Sequence, residues 1–426
     1  MNTLRWLRNS WIPCVTTIVL SSFSNAFAQQ SYKVTDLGNN KNKNNFAMVM
    51  GLNNQGWAEN MDGVVNAPEN STGTTIASGR AVIGIYGFNI DLGTLGKHDG
   101  NSWNNYGGIN DRGEAVGYSE TADPDPNGED ICGFHTHLTC VPFLWRDGHM
   151  RALPTLGGNN GQASAINNRG EVVGFAENGA VDSTCPADAG IINNRIALPA
   201  LWKRGNVEPL PLVDHDVDGL ANGINYRGQA VGYSGTCTTA RAVVWKDDNV
   251  YPLKVEGYSS AYAINSRGQI VGFDGNYATV WQHGADGGVT NLPLLPGDSS
   301  AFATGINNRG QVVGSDFIFK DSNNYWSHGF IWQDGVTTDL NTLIPADSNL
   351  FIIAASNINE RGQISGMATV QAGPHKGEIH AYLLTPVDGC IGASMADFAR
   401  TNPHFILPAN AGYHNSQKLG PSRLVR

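Results

Sequence analysis

One arrangement of apolar and polar positions recurs along the chain. An apolar stretch ends in Ile-Asn, a polar turn of the form x-Arg-Gly-Gln follows, and a second apolar stretch resembles Val-Val-Gly. It stands as GINDRGEAVGYS from Gly108, AINNRGEVVGFA from Ala165, GINYRGQAVGYS from Gly223, AINSRGQIVGFD from Ala263, GINNRGQVVGSD from Gly305 and NINERGQISGMA from Asn357. A weaker copy, GLNNQGWAEN, starts at Gly51. Asn at the first turn position can accept local backbone hydrogen bonds, and the Gly three residues later can take the positive φ that closes a short hairpin. Each copy therefore predicts strand, turn, strand.

Two further strands accompany each hairpin. The third is apolar and often ends in Trp, as at Trp145, Trp202, Trp245, Trp281 and Trp332; the fourth resembles NIDLGTL from Asn89 or VTTDLNTL from Val336. Four short antiparallel strands repeated every 40 to 58 residues predict an all-β, seven-bladed β-propeller of four-stranded blades. An open β-solenoid or several small sandwiches would use similar strands. The ends favour the propeller: the last third strand, HAYLLTP from His380, has no fourth strand after it, whereas YKVTDLG from Tyr32 reads as a fourth strand with no preceding three. Their pairing would close the ring and remove exposed sheet edges. The small residues of the first strands suit the crowded axis. The repeated Trp is expected to fill space between blades rather than to form a sugar platform, and the turn Arg, from Arg112 to Arg361, to be solvated or hydrogen-bonded between blades.

Composition narrows the function. With 52 Gly in 426 residues the chain is no helical bundle. Lys and Arg number 27 against 37 Asp and Glu, a formal charge of -10, so no basic surface is available for nucleic acid. Residues 1–28 carry Arg5 and Arg8, an apolar stretch from Trp11 to Phe23 and a terminal Ala26-Phe27-Ala28, the pattern of a cleaved secretory signal. The expected domains are this signal, a propeller over 29–387 and a tail over 388–426. No membrane span is expected after cleavage, and the location is extracellular or periplasmic. In an oxidising compartment Cys132 is expected to pair with Cys140 and Cys185 with Cys237, leaving Cys390 unpaired. No CxxC pair or Cys/His zinc spacing occurs.

The HGFIW strand at His328, the HAYLL strand at His380, the DLGTLG run from Asp91 and the IN-x-R-G-Q-V-V-G hairpins resemble the bacterial HAF repeat family of probable extracellular repeats. The resemblance covers about Tyr32 to Pro386 and implies secretion and repeat architecture. It implies no reaction, ligand or functional residue. The first unit departs from the pattern, and His precedes the third strand only at His328 and His380.

Candidate chemistry lies in the connections between strands two and three and between successive units, which include residues 61–80, 121–140, 177–195 and 316–326. Long variable loops around a central opening are where a propeller is expected to bind or react. They gather His98, Asp99, Glu129, Asp130, Asp298, Asp347 and His375, and converging carboxylates there could run glycoside hydrolysis. Asp214, Asp216 and Asp218, at alternate positions before Gly219, together with Asn222, are candidate ligands for a structural calcium ion. Asp123, Asp125 and Asn127 repeat the spacing with two prolines interposed. His135 and His137 could hold a transition metal only with further ligands. No GxSxG, HExxH or phosphate-binding Gly loop is present. The expected function is non-catalytic binding or scaffolding through the loop face, the partner being an extracellular protein or polysaccharide. A carbohydrate-active hydrolase or lyase, and a structural envelope component, are the alternatives.

Overall fold

The computed structural model describes residues 31–38, 46–66, 75–85, 88–96, 100–182, 195–284, 287–321 and 324–387. The expected signal and tail, His98, Asp99, Cys185 and Cys390 lie outside the described residues. The described chain is all β, with a 3-10 turn at Leu340–Thr342. Five antiparallel four-stranded sheets follow one another over residues 102–152, 161–209, 218–252, 259–291 and 300–339. An eight-stranded sheet joins residues 350–386, 46–91 and the N-terminal Tyr32–Gly38. Such radially repeated sheets are the architecture of a β-propeller. Within the large sheet, Tyr32–Gly38 runs antiparallel to Ile379–Pro386, from Tyr32 opposite Pro386 to Gly38 opposite Ala381. The strand missing after the seventh repeat is thus supplied by the other end of the chain.

The hairpin turns form as their residues dictate. Asn110 Oδ1 accepts the N–H of Arg112 at 2.9 Å and of Glu114 at 3.1 Å, and Gly113 takes φ +76°. The same pair of bonds recurs at Asn53, Asn167, Asn225, Asn265, Asn307 and Asn359. The amide end of each Asn then reaches the next repeat. Asn53 Nδ2 donates to Asn110 O, Asn110 to Asn167 O, Asn167 to Asn225 O, Asn225 to Asn265 O, Asn265 to Asn307 O, Asn307 to Asn359 O, and Asn359 to Asn53 O, all at 3.0–3.1 Å. Six of these bonds join successive repeats, and the seventh spans 306 residues of sequence.

The apolar core is a set of seams between neighbouring sheets. Val116 of the second repeat packs with Ala163, Ile166, Val172 and Trp202 of the third. Trp202 Nε1 donates to Pro154 O, Trp245 Nε1 to Pro211 O and Trp281 Nε1 to Lys254 O, at 2.7–2.8 Å, so each indole is anchored on the preceding repeat. The turn arginines also cross seams: Arg112 donates to Glu114 Oε2 within its own turn and, through Nη1, to Asn168 O of the next.

Pairing between the first two strands of the third to sixth repeats shifts by one residue. The bulged positions are Ser164, Asn222, Tyr262 and Thr304. A bulge re-aims its side chain, and Asn222, Tyr262 and Thr304 line the axial cavity described next. In the second repeat the pairing jumps from Asn104 opposite Gly117 to Ile109 opposite Ala115, so Asn105-Tyr106-Gly107 occupies the place of one residue. Gly107, at φ +75°, permits the sharper excursion.

Candidate functional site: an axial cavity at the turn end

A cavity of about 410 Å³ opens on the axis at the end carrying the hairpin turns, the end opposite the loops in which the sequence placed candidate chemistry. Bulge geometry explains the difference. Tyr106 and Tyr262, from the second and fifth repeats, meet with ring centroids 6.3 Å apart, and both line the cavity. Tyr262 continues into an aromatic row through Phe273, Phe302 and Phe317, at centroid distances of 5.9, 5.0 and 5.4 Å. Burial raises the pKa of both phenols above the usual tyrosine range, so they face the cavity as neutral hydroxyls.

Asn222 and Thr304 hold the bulge position of Tyr262 in the repeats on either side of it and line the same cavity. Asn222 Nδ2 donates to Ser260 Oγ and Ala261 O, and Thr304 Oγ1 donates to Ala355 O at 2.8 Å. The rim is the asparagine ring and, outside it, the turn-tip residues that follow each Asn. Asp111 accepts from Asn54 N and Nδ2 and from Asn168 Nδ2, and Glu360 accepts from Asn308 N. Both rim carboxylates are thus committed to neighbouring turns. Tyr226 differs: its side chain is 63% exposed at the cavity mouth, with the Arg169 guanidinium 5.9 Å from its ring centre. The opening therefore offers neutral polar groups, two inner phenols and one exposed aromatic face.

At the loop end three of the acids are buried together, whereas Asp123 and Asp347 are exposed. Asp125, Glu129 and Glu177 are 6%, 1% and 0% exposed and converge on the Asn160 amide, whose Nδ2 lies 2.9 Å from Asp125 Oδ2, 3.1 Å from Glu129 Oε2 and 3.3 Å from Glu177 Oε2. Desolvation, followed by the Glu177 charge, pushes Glu129 up to about 7. Asp316 also rises to about 7 through desolvation, opposed by the hydrogen bond from Leu295 N. Carboxylates this enclosed hold loops together and offer a glycan no access.

The expected calcium donors have the following surroundings. Asp214 is exposed; Asp216 accepts from Ser234 Oγ at 2.7 Å and lies 3.6 Å from Arg241; Asp218 accepts from Ala197 N; and Asn222 belongs to the axial wall. In the second candidate, Asp125 Oδ1 accepts the N–H of Asn127 and Glu129, which closes the turn on itself, while Asn127 Oδ1 accepts from Arg195 and Asp123 is exposed. His137 Nδ1 meets Gly128 O at 2.8 Å and His135 Nδ1 lies 3.7 Å from Asp130, so these two histidines have separate partners. Cys132 and Cys140 form a disulfide with Cα atoms 5.5 Å apart. Cys237 is also disulfide-bonded, and its expected partner Cys185 lies outside the described residues. The groups Asp182, Asp218, Cys237 and His375, Glu378, His380 each bring three donor atoms within 4.8 Å of one another, and the disulfide removes Cys237 as a thiolate ligand.

Sequence reasoning missed Tyr106, Tyr262 and Tyr226. Tyr226 was readable as the one aromatic among the turn-tip residues of the seven hairpins. The two inner tyrosines depend on bulges that only strand register reveals.

No protein-family model matches the sequence, and no curated protein is significantly similar to it. Among solved structures, the chain is similar to a gluconolactonase from Xanthomonas campestris at 11% identity, covering 83% of this chain and 90% of that one with a TM-score of 0.35. It is similar to the β-propeller domain of the trilobed protease from Pyrococcus furiosus at 10% identity, covering 81% and 96% with a TM-score of 0.42. An acylaminoacyl peptidase from Pyrococcus horikoshii is 14% identical over 80% of this chain and 52% of its own, with a TM-score of 0.42. Among the described residues no helix is long and apolar enough to cross a membrane.

Proposed function

We propose that the chain is an exported, closed seven-bladed propeller that binds a polyhydroxylated ligand, a glycan, in its axial cavity and catalyses no reaction on it. The circuit of asparagine bonds through seven turns and the pairing of Tyr32–Gly38 with Ile379–Pro386 support the closed count. The observation that carries the binding reading is the composition of the mouth: neutral amides and hydroxyls backed by Tyr106 and Tyr262, beside the exposed ring of Tyr226. Concave sites of this kind orient a polar ligand through a few fixed donors and acceptors while an aromatic face covers its C–H surface. The repeat resemblance and the N-terminal segment favour an extracellular or periplasmic setting.

A glycan array screened with the purified chain, followed by calorimetric titration of the best binder, tests this. Tyr226→Ala should weaken binding roughly 2- to 12-fold, the equivalent of about 0.5–1.5 kcal/mol for one aromatic contact. Asn222→Ala should weaken it as well. Turnover of the bound glycan would overturn the non-catalytic reading and favour the hydrolase.

A further inference from the structure

In the seventh repeat the connection between the second and third strands folds into a tight turn. Glu378 N donates to His375 O and Gly377 N to Val370 O, with Gly373 and Gly377 at φ +85° and +88°. This turn sets one carboxylate between two imidazoles. His375 Nδ1 lies 3.1 Å from Glu378 Oε1, and His380 Nε2 lies 3.4 Å from Glu378 Oε2. One donor atom from each residue lies within 4.8 Å of the other two.

The second nitrogen of His380 fixes the sense of this arrangement. His380 Nδ1 lies 2.9 Å from Asp36 Oδ1 and 3.0 Å from Oδ2 of the N-terminal strand, so Nδ1 carries the hydrogen. The first repeat holds the corresponding positions with Arg80, whose Nε donates to Asp91 at 3.1–3.2 Å. The third-strand basic residue and the fourth-strand Asp thus form a clamp common to both repeats. With His in place of Arg, the clamp leaves a lone pair at Nε2, directed at an anionic oxygen. In the neutral ring two acceptors face each other, and either a second proton on Nε2 or a metal ion bound between them satisfies both.

We propose that His375, Glu378 and His380 form a binding site for a divalent transition metal of the zinc class, with Asp36 orienting His380. Zn–N distances of about 2.0–2.1 Å and Zn–O distances of about 2.0–2.2 Å place tetrahedral donors about 3.3–3.5 Å apart, close to the two His–Glu separations of 3.1 and 3.4 Å, the two histidine donors lying within 4.8 Å of each other. A carboxylate on the far nitrogen of a metal-bound His sets its tautomer and raises its basicity. His380 is nearly buried, whereas the side chain of His375 is 58% exposed, which gives an ion a route in and leaves a fourth position to water. The bound ion would tie the last turn to the last strand and, through Asp36, to the first strand.

The test uses the full chain, purified through a tag without histidine and stripped with a chelator. Zinc titrated by calorimetry should bind at about one ion per chain and raise the melting temperature. Cobalt should give the visible absorption of a tetrahedral N/O site. His375→Ala, at an exposed position that leaves the sheet intact, should weaken zinc at least tenfold, and Asp36→Asn should weaken it roughly 10- to 100-fold. Zinc binding unchanged in His375→Ala would overturn the proposal. So would a chain without zinc affinity in which His380 is held as an imidazolium by Asp36 and Glu378.

Discussion

Replacing Glu59 by Val should stabilise the protein, and by more as the pH rises. Glu59 is fully buried in the first repeat, and neither carboxyl oxygen has a hydrogen-bond partner. Strand register puts it where the following repeats carry Val116, Val173, Val231, Val271 and Val313. Its Oε2 fills the space beside Gly51 and Gly108, where a Cβ would collide with it. Burial raises its pKa well above the usual carboxylate range. Leaving a buried polar group unpaired costs about 1–3 kcal/mol. Keeping the acid neutral adds about 1.4 kcal/mol for each pH unit above its unfolded-state value. The smaller Val returns about 1 kcal/mol as a void. The sign follows from the raised pKa: the ionisation penalty is absent below about pH 4 and grows as the pH rises towards the folded-state value. The net gain is therefore about 1 kcal/mol near pH 4.5 and grows by about 1.4 kcal/mol for each further pH unit over which the folded state keeps the acid neutral. At this chain length 1 kcal/mol corresponds to about 1–2 °C. Thermal melts of wild type and Glu59→Val at pH 4.5, 7 and 8 should diverge progressively as the pH rises, by about 1–3 °C for each pH unit over which the buried acid stays neutral, with Glu59→Gln between them. A difference independent of pH, or a lower melting temperature for the Val variant at pH 8, would refute the reasoning.

Glu129 and Asp316, both raised to about 7, should make the protein lose stability as the pH rises from about 4 to 7, because the folded state keeps protons that the unfolded chain has released. Urea midpoints at pH 5 and 8 check this, and Glu129→Gln should flatten the dependence. Asn167→Ala removes donors to Glu171 Oε2 and Asn225 O and an acceptor for two turn N–H groups, and should cost about 1–3 kcal/mol in the urea midpoint. Asn167→Asp keeps the acceptor but sets a second carboxylate beside Glu171, so it should be no milder.

The repeat was legible because its turn chemistry is local: Asn and Gly at fixed offsets specify a hairpin whatever surrounds them. The position of Tyr32–Gly38 was legible too, since one unmatched strand at each end leaves few other pairings. The Trp seam followed from five indoles at one strand position. The site was not legible in the same way. Asp125 read as a calcium ligand and Glu129 as a loop carboxylate, because nothing in the sequence announces that Asn160 will draw them, with Glu177, into one buried knot. Tyr106 enters the axis through two extra residues at a bulge, and His375, Glu378 and His380 converge only because a turn with two positive-φ glycines folds back on its strand. Glu59 was hidden by the degeneracy of the first copy, where a charged residue in a Val position looks like drift.

The circuit of asparagine amides runs in one direction, each turn donating a hydrogen bond to the next and accepting one from the last. A circuit with that polarity has no first member, so where the polypeptide is cut is a separate matter from how the turns are linked. Here the cut falls inside a sheet, where Tyr32–Gly38 pairs with Ile379–Pro386. Gain or loss of a whole repeat in evolution would preserve every local hairpin yet alter the angle that all the others must share. Copy number is therefore a property of the assembly as a whole, and single copies are free to decay, as the first has done, while they still pass the bond along.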